Sequence, residues 1–150
     1  MIVPKIENDT LILKGTSSGI VYDIEIPKGV SVFHGGSGEG KSFLFRKLLN
    51  LSGNPKCGYS ASLCDYHNTK NSEEQLIILT ESSSVVMFDN ADLYLTPFVV
   101  EKVNQTADFV MVAARDLEFV GSFPVTFMYI KFDLDRLTVK PGGVLNDSNI

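Results

Sequence analysis

Residues Gly35-Gly36-Ser37-Gly38-Glu39-Gly40-Lys41-Ser42 fit the pattern G-x-x-x-x-G-K-S/T at every fixed position. The apolar run Val30-Ser31-Val32-Phe33 precedes them and a helical pattern starts at Lys41, so the segment reads as strand, loop and helix. Glycines let the backbone curl without a Cβ clash, which turns successive N–H groups inward, and the helix N-terminus adds partial positive charge. Such a loop cradles phosphate oxygens. Lys41 is then expected to reach the β- and γ-phosphates of a nucleotide, and the Ser42 hydroxyl to ligate Mg²⁺. His34, just before the loop, reads as a packed or hydrogen-bonded histidine and not as a catalyst.

At 150 residues the chain is one domain by size, able to bury a core without disulfides or structural metal. The net charge of −5 and the isoelectric point near 4.9 argue against a general nucleic-acid or anionic-membrane surface. Met1-Ile2-Val3-Pro4-Lys5 lacks the apolar core of a signal peptide, and no apolar run approaches a membrane span, so the expected location is cytoplasmic. Cys57 and Cys64 lack zinc-site spacing and read as reduced, partly buried thiols.

Residues 2 to 6, 10 to 14 and 19 to 26 have strand character, with Ile20, Tyr22, Ile24 and Ile26 on one side. They predict a small antiparallel β extension over residues 1 to 29, leading into a core over 30 to 132. Helix one carries Phe43, Leu44, Phe45, Leu48, Leu49 and Leu51 and stops at Gly53 and Pro55. Strands follow around 59 to 64, 84 to 88, 109 to 114 and 125 to 132, the last paired with 136 to 140, and residues 141 to 150 read as a frayed tail. Short helices are capped at Asn71 or Ser72 and at Thr96-Pro97. The expected fold is therefore α/β: a three-layer phosphate-loop NTPase fold with a mainly parallel, five-stranded core sheet.

Val85-Val86-Met87-Phe88-Asp89 is an apolar strand ending on an acid, the form of a residue that holds Mg²⁺ beside a phosphate loop. At the ends of other strands stand Asp65, His67 and Arg115. Arg115 reads either as a γ-phosphate sensor or arginine finger or as a solvent-facing side chain. Asp92 reads either as a catalytic acid or as an ordinary early-helix carboxylate.

Taken together these segments resemble the ATP-binding-cassette branch of the phosphate-loop ATPases. Gly19 to Gly29 is similar to the strand and turn before Walker A there, Gly35 to Ser42 matches Walker A, and Asp89 is similar to the Walker B aspartate. Val110 to Glu118 resembles the strand that ends in the family's switch histidine, with Arg115 at the histidine position. The resemblance implies ATP and Mg²⁺ as ligands. The chain departs from it where the catalytic glutamate is replaced by Asn90, which positions water but cannot accept a proton. It also lacks the Leu-Ser-Gly-Gly-Gln signature, the length between Ser42 and Val85 for a helical subdomain, and an aromatic residue where that family stacks adenine.

The expected function is an Mg²⁺-dependent ATP-binding protein, a slow ATPase working as a nucleotide-dependent switch, with Lys41, Asp89, Asn90, Asp92 and Arg115 as candidate catalytic residues. The alternative is a non-hydrolysing module that recruits a protein partner or a second copy of itself. A small-molecule kinase fits less well, since its lid needs several arginines and the chain has three, Arg46, Arg115 and Arg136. Asn68-Thr69-Lys70-Asn71 is not a guanine-reading motif.

Overall fold

The structure, a computed structural model, describes residues 2–34, 40–65, 72–116 and 123–142. Strands β1 (Lys5–Glu7), β2 (Thr10–Ser17) and β3 (Ile20–Pro27) form an antiparallel meander. Both of its turns are two-residue reversals with positive φ throughout, Asn8-Asp9 and Ser18-Gly19, the twist that suits tight hairpins. The chain continues through β4 (Gly29–His34), helix α1 (Lys41–Leu51), β5 (Ala61–Cys64), helix α2 (Glu73–Thr80) and β6 (Val85–Phe88). A 3₁₀ turn (Ala91–Leu93), helix α3 (Pro97–Asn104), β7 (Phe109–Ala114), β8 (Thr126–Asp133) and β9 (Arg136–Pro141) complete it.

Among the described residues nine strands form one sheet in the order β1-β2-β3-β9-β8-β4-β7-β6-β5. This corrects the expected three-layer fold with a mainly parallel five-stranded sheet: the sheet is mixed and curled, with five parallel and three antiparallel neighbour pairs. The physical cause lies in β9. After the β8–β9 hairpin it pairs antiparallel with β8 and parallel with β3, so the N-terminal strands are stitched into the main sheet.

Packing explains why the N-terminal wing cannot remain peripheral. Leu11 and Leu13 of β2 and Ile24 and Ile26 of β3 are fully buried, in the same apolar cluster as Leu44, Phe45 and Leu48 of α1. Each such side chain contributes about 1.5–3 kcal/mol by leaving water. The sheet thus wraps around α1, which lies against the wing on one side and against Phe33, Met87 and Met111 on the other.

The opposite face of β4, β6 and β7 packs against α2 and α3, through Leu76, Val99, Val100 and Val103 on Val32, Val86, Phe88 and Val112. Both of these helices are capped as their sequences suggest: Ser72 Oγ accepts from the Gln75 amide at 3.2 Å and Thr96 Oγ1 from the Val99 amide at 3.4 Å. No helix among the described residues is long and apolar enough to cross a membrane. Of the expected tail, residues 143 to 150 lie outside the described residues, whereas Pro141 belongs to β9.

Candidate functional site

Strands β4 to β8 run parallel, so His34, Cys64, Phe88 and Ala114 bring their following residues to one edge of the sheet. The helix after β4 packs on one face and those after β5 and β6 on the other, the arrangement that in parallel sheets places ligands at the strand ends. The start of α1 and the residue after β6 meet at this edge.

The contact that defines the site joins those two segments. Ser42 Oγ donates to Asp89 Oδ2 at 2.7 Å, both residues being half-buried. The other carboxylate oxygen accepts from the Asn90 amide at 3.0 Å. Lys41, the first residue of α1, is 9% exposed, unusual burial for a lysine. Gly40 before it has φ +92° and offers no side chain to cap the helix, unlike Ser72 and Thr96 at the other two described helices. The first-turn amides of α1 therefore carry their partial positive charge toward the strand ends.

A tyrosine that sequence reading missed holds the acid in place. The Tyr94 hydroxyl lies 2.8 Å from the Cys64 carbonyl and 2.7 Å from the Asp89 carbonyl, tying the ends of β5 and β6 together. The Asp89 amide donates to that same Cys64 carbonyl at 2.8 Å. Burial, assisted by the nearby Cys64, Asp89, Asp65 and Asp92, raises the Tyr94 hydroxyl far above its ordinary range, so it stays a neutral donor. Burial, then the charge of Asp65, also pushes the Cys64 thiol up to about 12. A tyrosine five residues after Asp89 carries no sequence signal by itself.

The remaining sequence-predicted residues sit around this centre. Asn90 is exposed with φ +51°, and Asp92 is exposed in the 3₁₀ turn. Arg115 is exposed after β7, and its carbonyl accepts from His34 Nε2 at 2.8 Å, which joins the ends of β4 and β7. Asp65 follows β5, half-buried. Gly35, Gly36, Ser37, Gly38 and Glu39 lie outside the described residues, as does His67.

Two hard oxygen donors 2.7 Å apart, a hydroxyl and a carboxylate, suit Mg²⁺. Among the described residues no group of three or more His, Cys, Asp or Glu side chains is placed to hold a metal alone. A bound Mg²⁺ would thus take most of its ligands from phosphate and water, as this ion commonly does.

An aromatic group flanks the site. Phe43, directly after Ser42, stacks parallel to Tyr22 of β3 with centroids 6.4 Å apart and tilts against Phe132 of β8 at 5.2 Å. Only the curl of the sheet brings β3 and β8 to α1, so this group was not legible in the sequence. Compared with protein families and with curated proteins, the chain matches neither.

Proposed function

We propose that the protein binds ATP with Mg²⁺ and works as a nucleotide-dependent switch with slow hydrolysis. The observation that carries this reading is the Ser42–Asp89 hydrogen bond, which unites the last residue of the phosphate-loop motif with the acid that sequence reading paired with it. The start of α1, where Gly40 contributes no side-chain cap, and the buried Lys41 support it, since amide dipoles and an ammonium group are what polyphosphate needs.

Each residue then has a defined task. The α1 amides and Lys41 bind the phosphates and neutralise their charge, while Ser42 and Asp89 hold Mg²⁺, directly or through water. When bound, Mg²⁺ supplies charge stabilisation at the β- and γ-phosphate oxygens. Tyr94 positions Asp89 through the backbone. Asn90, next to the acid, orients water and accepts no proton, which makes turnover slow. Arg115 and Asp92, at the rim, act on the γ-phosphate side or on a partner.

Asn90 equally favours a second reading, a binding-only module whose nucleotide-bound form recruits a protein partner or another copy of the chain. One experiment separates them: ATP turnover with Mg²⁺ by wild-type protein and by Asn90→Glu. A large gain in Asn90→Glu means the machinery is otherwise complete, and no gain in a variant that still binds ATP favours binding alone. Fast wild-type turnover that survives Lys41→Ala contradicts both readings.

A further inference from the structure

We infer that the ligand is a purine nucleotide whose base stacks on Phe43, an inference that rests on the phosphate-loop reading above. Phe43 stands directly after Ser42 in the first turn of α1 and is 39% exposed, whereas its apolar neighbours Leu44, Phe45 and Leu48 are fully buried. The ring does not drift in solvent. It is fixed by Tyr22, whose plane lies within 5° of its own, and by Phe132, tilted at 52°.

The same aromatic group touches the end of the phosphate-loop motif. A Cβ built on Gly40 would lie 3.4 Å from Phe132 Cβ and Cδ2, so this residue packs against the aromatic wall. A ligand whose phosphates rest on the first turn of α1 carries its ribose and base beyond that turn, and Phe43 is the exposed ring closest in sequence to Ser42. Every nucleobase has a π face, and stacking on a fixed aromatic side chain strengthens binding by roughly 5- to 150-fold.

A ring face carries no donor and acceptor code. Recognition by stacking therefore follows ring area: ATP and GTP bind within a few-fold of each other, CTP more weakly, and inorganic tripolyphosphate, which has no base, most weakly.

The test is calorimetric titration of the full chain with ATP, GTP, CTP and tripolyphosphate, all with Mg²⁺, on wild type and on Phe43→Leu and Phe43→Tyr. The expected result is about a tenfold loss of ATP and GTP affinity in Phe43→Leu with tripolyphosphate binding unchanged, and retained affinity in Phe43→Tyr. Unchanged tripolyphosphate binding also certifies that the variant is folded. ATP binding no tighter than tripolyphosphate in wild type, or undiminished in Phe43→Leu, overturns the stacking site and leaves the phosphate site standing. A wild-type protein that binds none of the four overturns the phosphate site, and the stacking site with it.

Discussion

Ser42 Oγ and Asp89 Oδ2, 47 residues apart in sequence, lie 2.7 Å from each other at the carboxyl ends of β4 and β6. The pair is brought together by fold and held there by local chemistry: α1 is the helix that follows β4, and Asp89 is fixed through both its amide and its carbonyl. Its dependence on Tyr94 gives the first expected outcome.

Tyr94→Phe removes a hydroxyl that meets two backbone carbonyls and leaves the ring in place. Those carbonyls lose a partner in a half-buried setting, which costs about 1–2 kcal/mol. Thermal melting should fall by roughly 2 to 8 °C. Nucleotide affinity should fall as well, because Asp89 loses its anchor; a variant with unchanged melting and binding would show that the tyrosine does not position the acid.

Gly40 sits at φ +92°, where a side chain is strained, and a Cβ there would also press on Phe132 and Leu137 at 3.4 Å. Gly40→Ala should therefore destabilise the protein by about 2 kcal/mol and weaken nucleotide binding. Denaturant unfolding of the variant beside wild type measures the first effect, and a shift indistinguishable from zero would contradict the assigned backbone conformation.

Ser31, in the middle of β4, is fully buried and its hydroxyl has no hydrogen-bond partner among the described residues. An unpaired buried hydroxyl costs about 1–3 kcal/mol relative to an apolar group. Ser31→Ala should accordingly leave stability unchanged or raise it by about 1 kcal/mol. Clear destabilisation in urea unfolding would mean that the hydroxyl has a partner after all.

On the outer face of the wing, Lys14 and Lys140 bridge Asp23 and Glu25, with Lys140 Nζ 2.8 Å and 2.7 Å from the two carboxylates. Hydrogen bonds from Lys140 and then Lys14 hold the Glu25 carboxyl below its ordinary 4.5. Its folded value being the lower one, the stabilisation is present above the unfolded value and is lost as pH falls through the folded value. For Lys140, burial disfavours the charge, but the two carboxylates outweigh it and raise the group above 10.5. That contribution is present below 10.5 and is lost as pH rises through the folded value. Melting temperature followed from pH 6 downward should decline less steeply in Glu25→Gln than in wild type; parallel curves would exclude the network as a source of acid sensitivity.

Local features of the chain were the legible ones. The glycine-lysine-serine run, the caps at Ser72 and Thr96, and the apolar strand ending on Asp89 each announce themselves within a few residues, because turn and cap chemistry is short-ranged. The architecture was not legible in the same way. The Arg136 to Lys140 strand was read as the second arm of a hairpin, but nothing in its residues says that its other edge pairs with β3, and that single pairing turns an expected appendage into part of a nine-stranded sheet. Tyr94 and the Tyr22–Phe43–Phe132 group were hidden for the same reason, since each draws its partners from strands distant in sequence.

Whether Asp89 and Ser42 hold a metal for a bound nucleotide is decided by calorimetric titration of ATP with and without Mg²⁺, on wild type and on Asp89→Asn. Mg²⁺ is expected to tighten ATP binding at least tenfold in wild type and to have little effect in Asp89→Asn, whose neutral amide is a poor ligand for a hard cation. ATP that fails to bind wild-type protein, or binds both proteins with the same dependence on Mg²⁺, would contradict it.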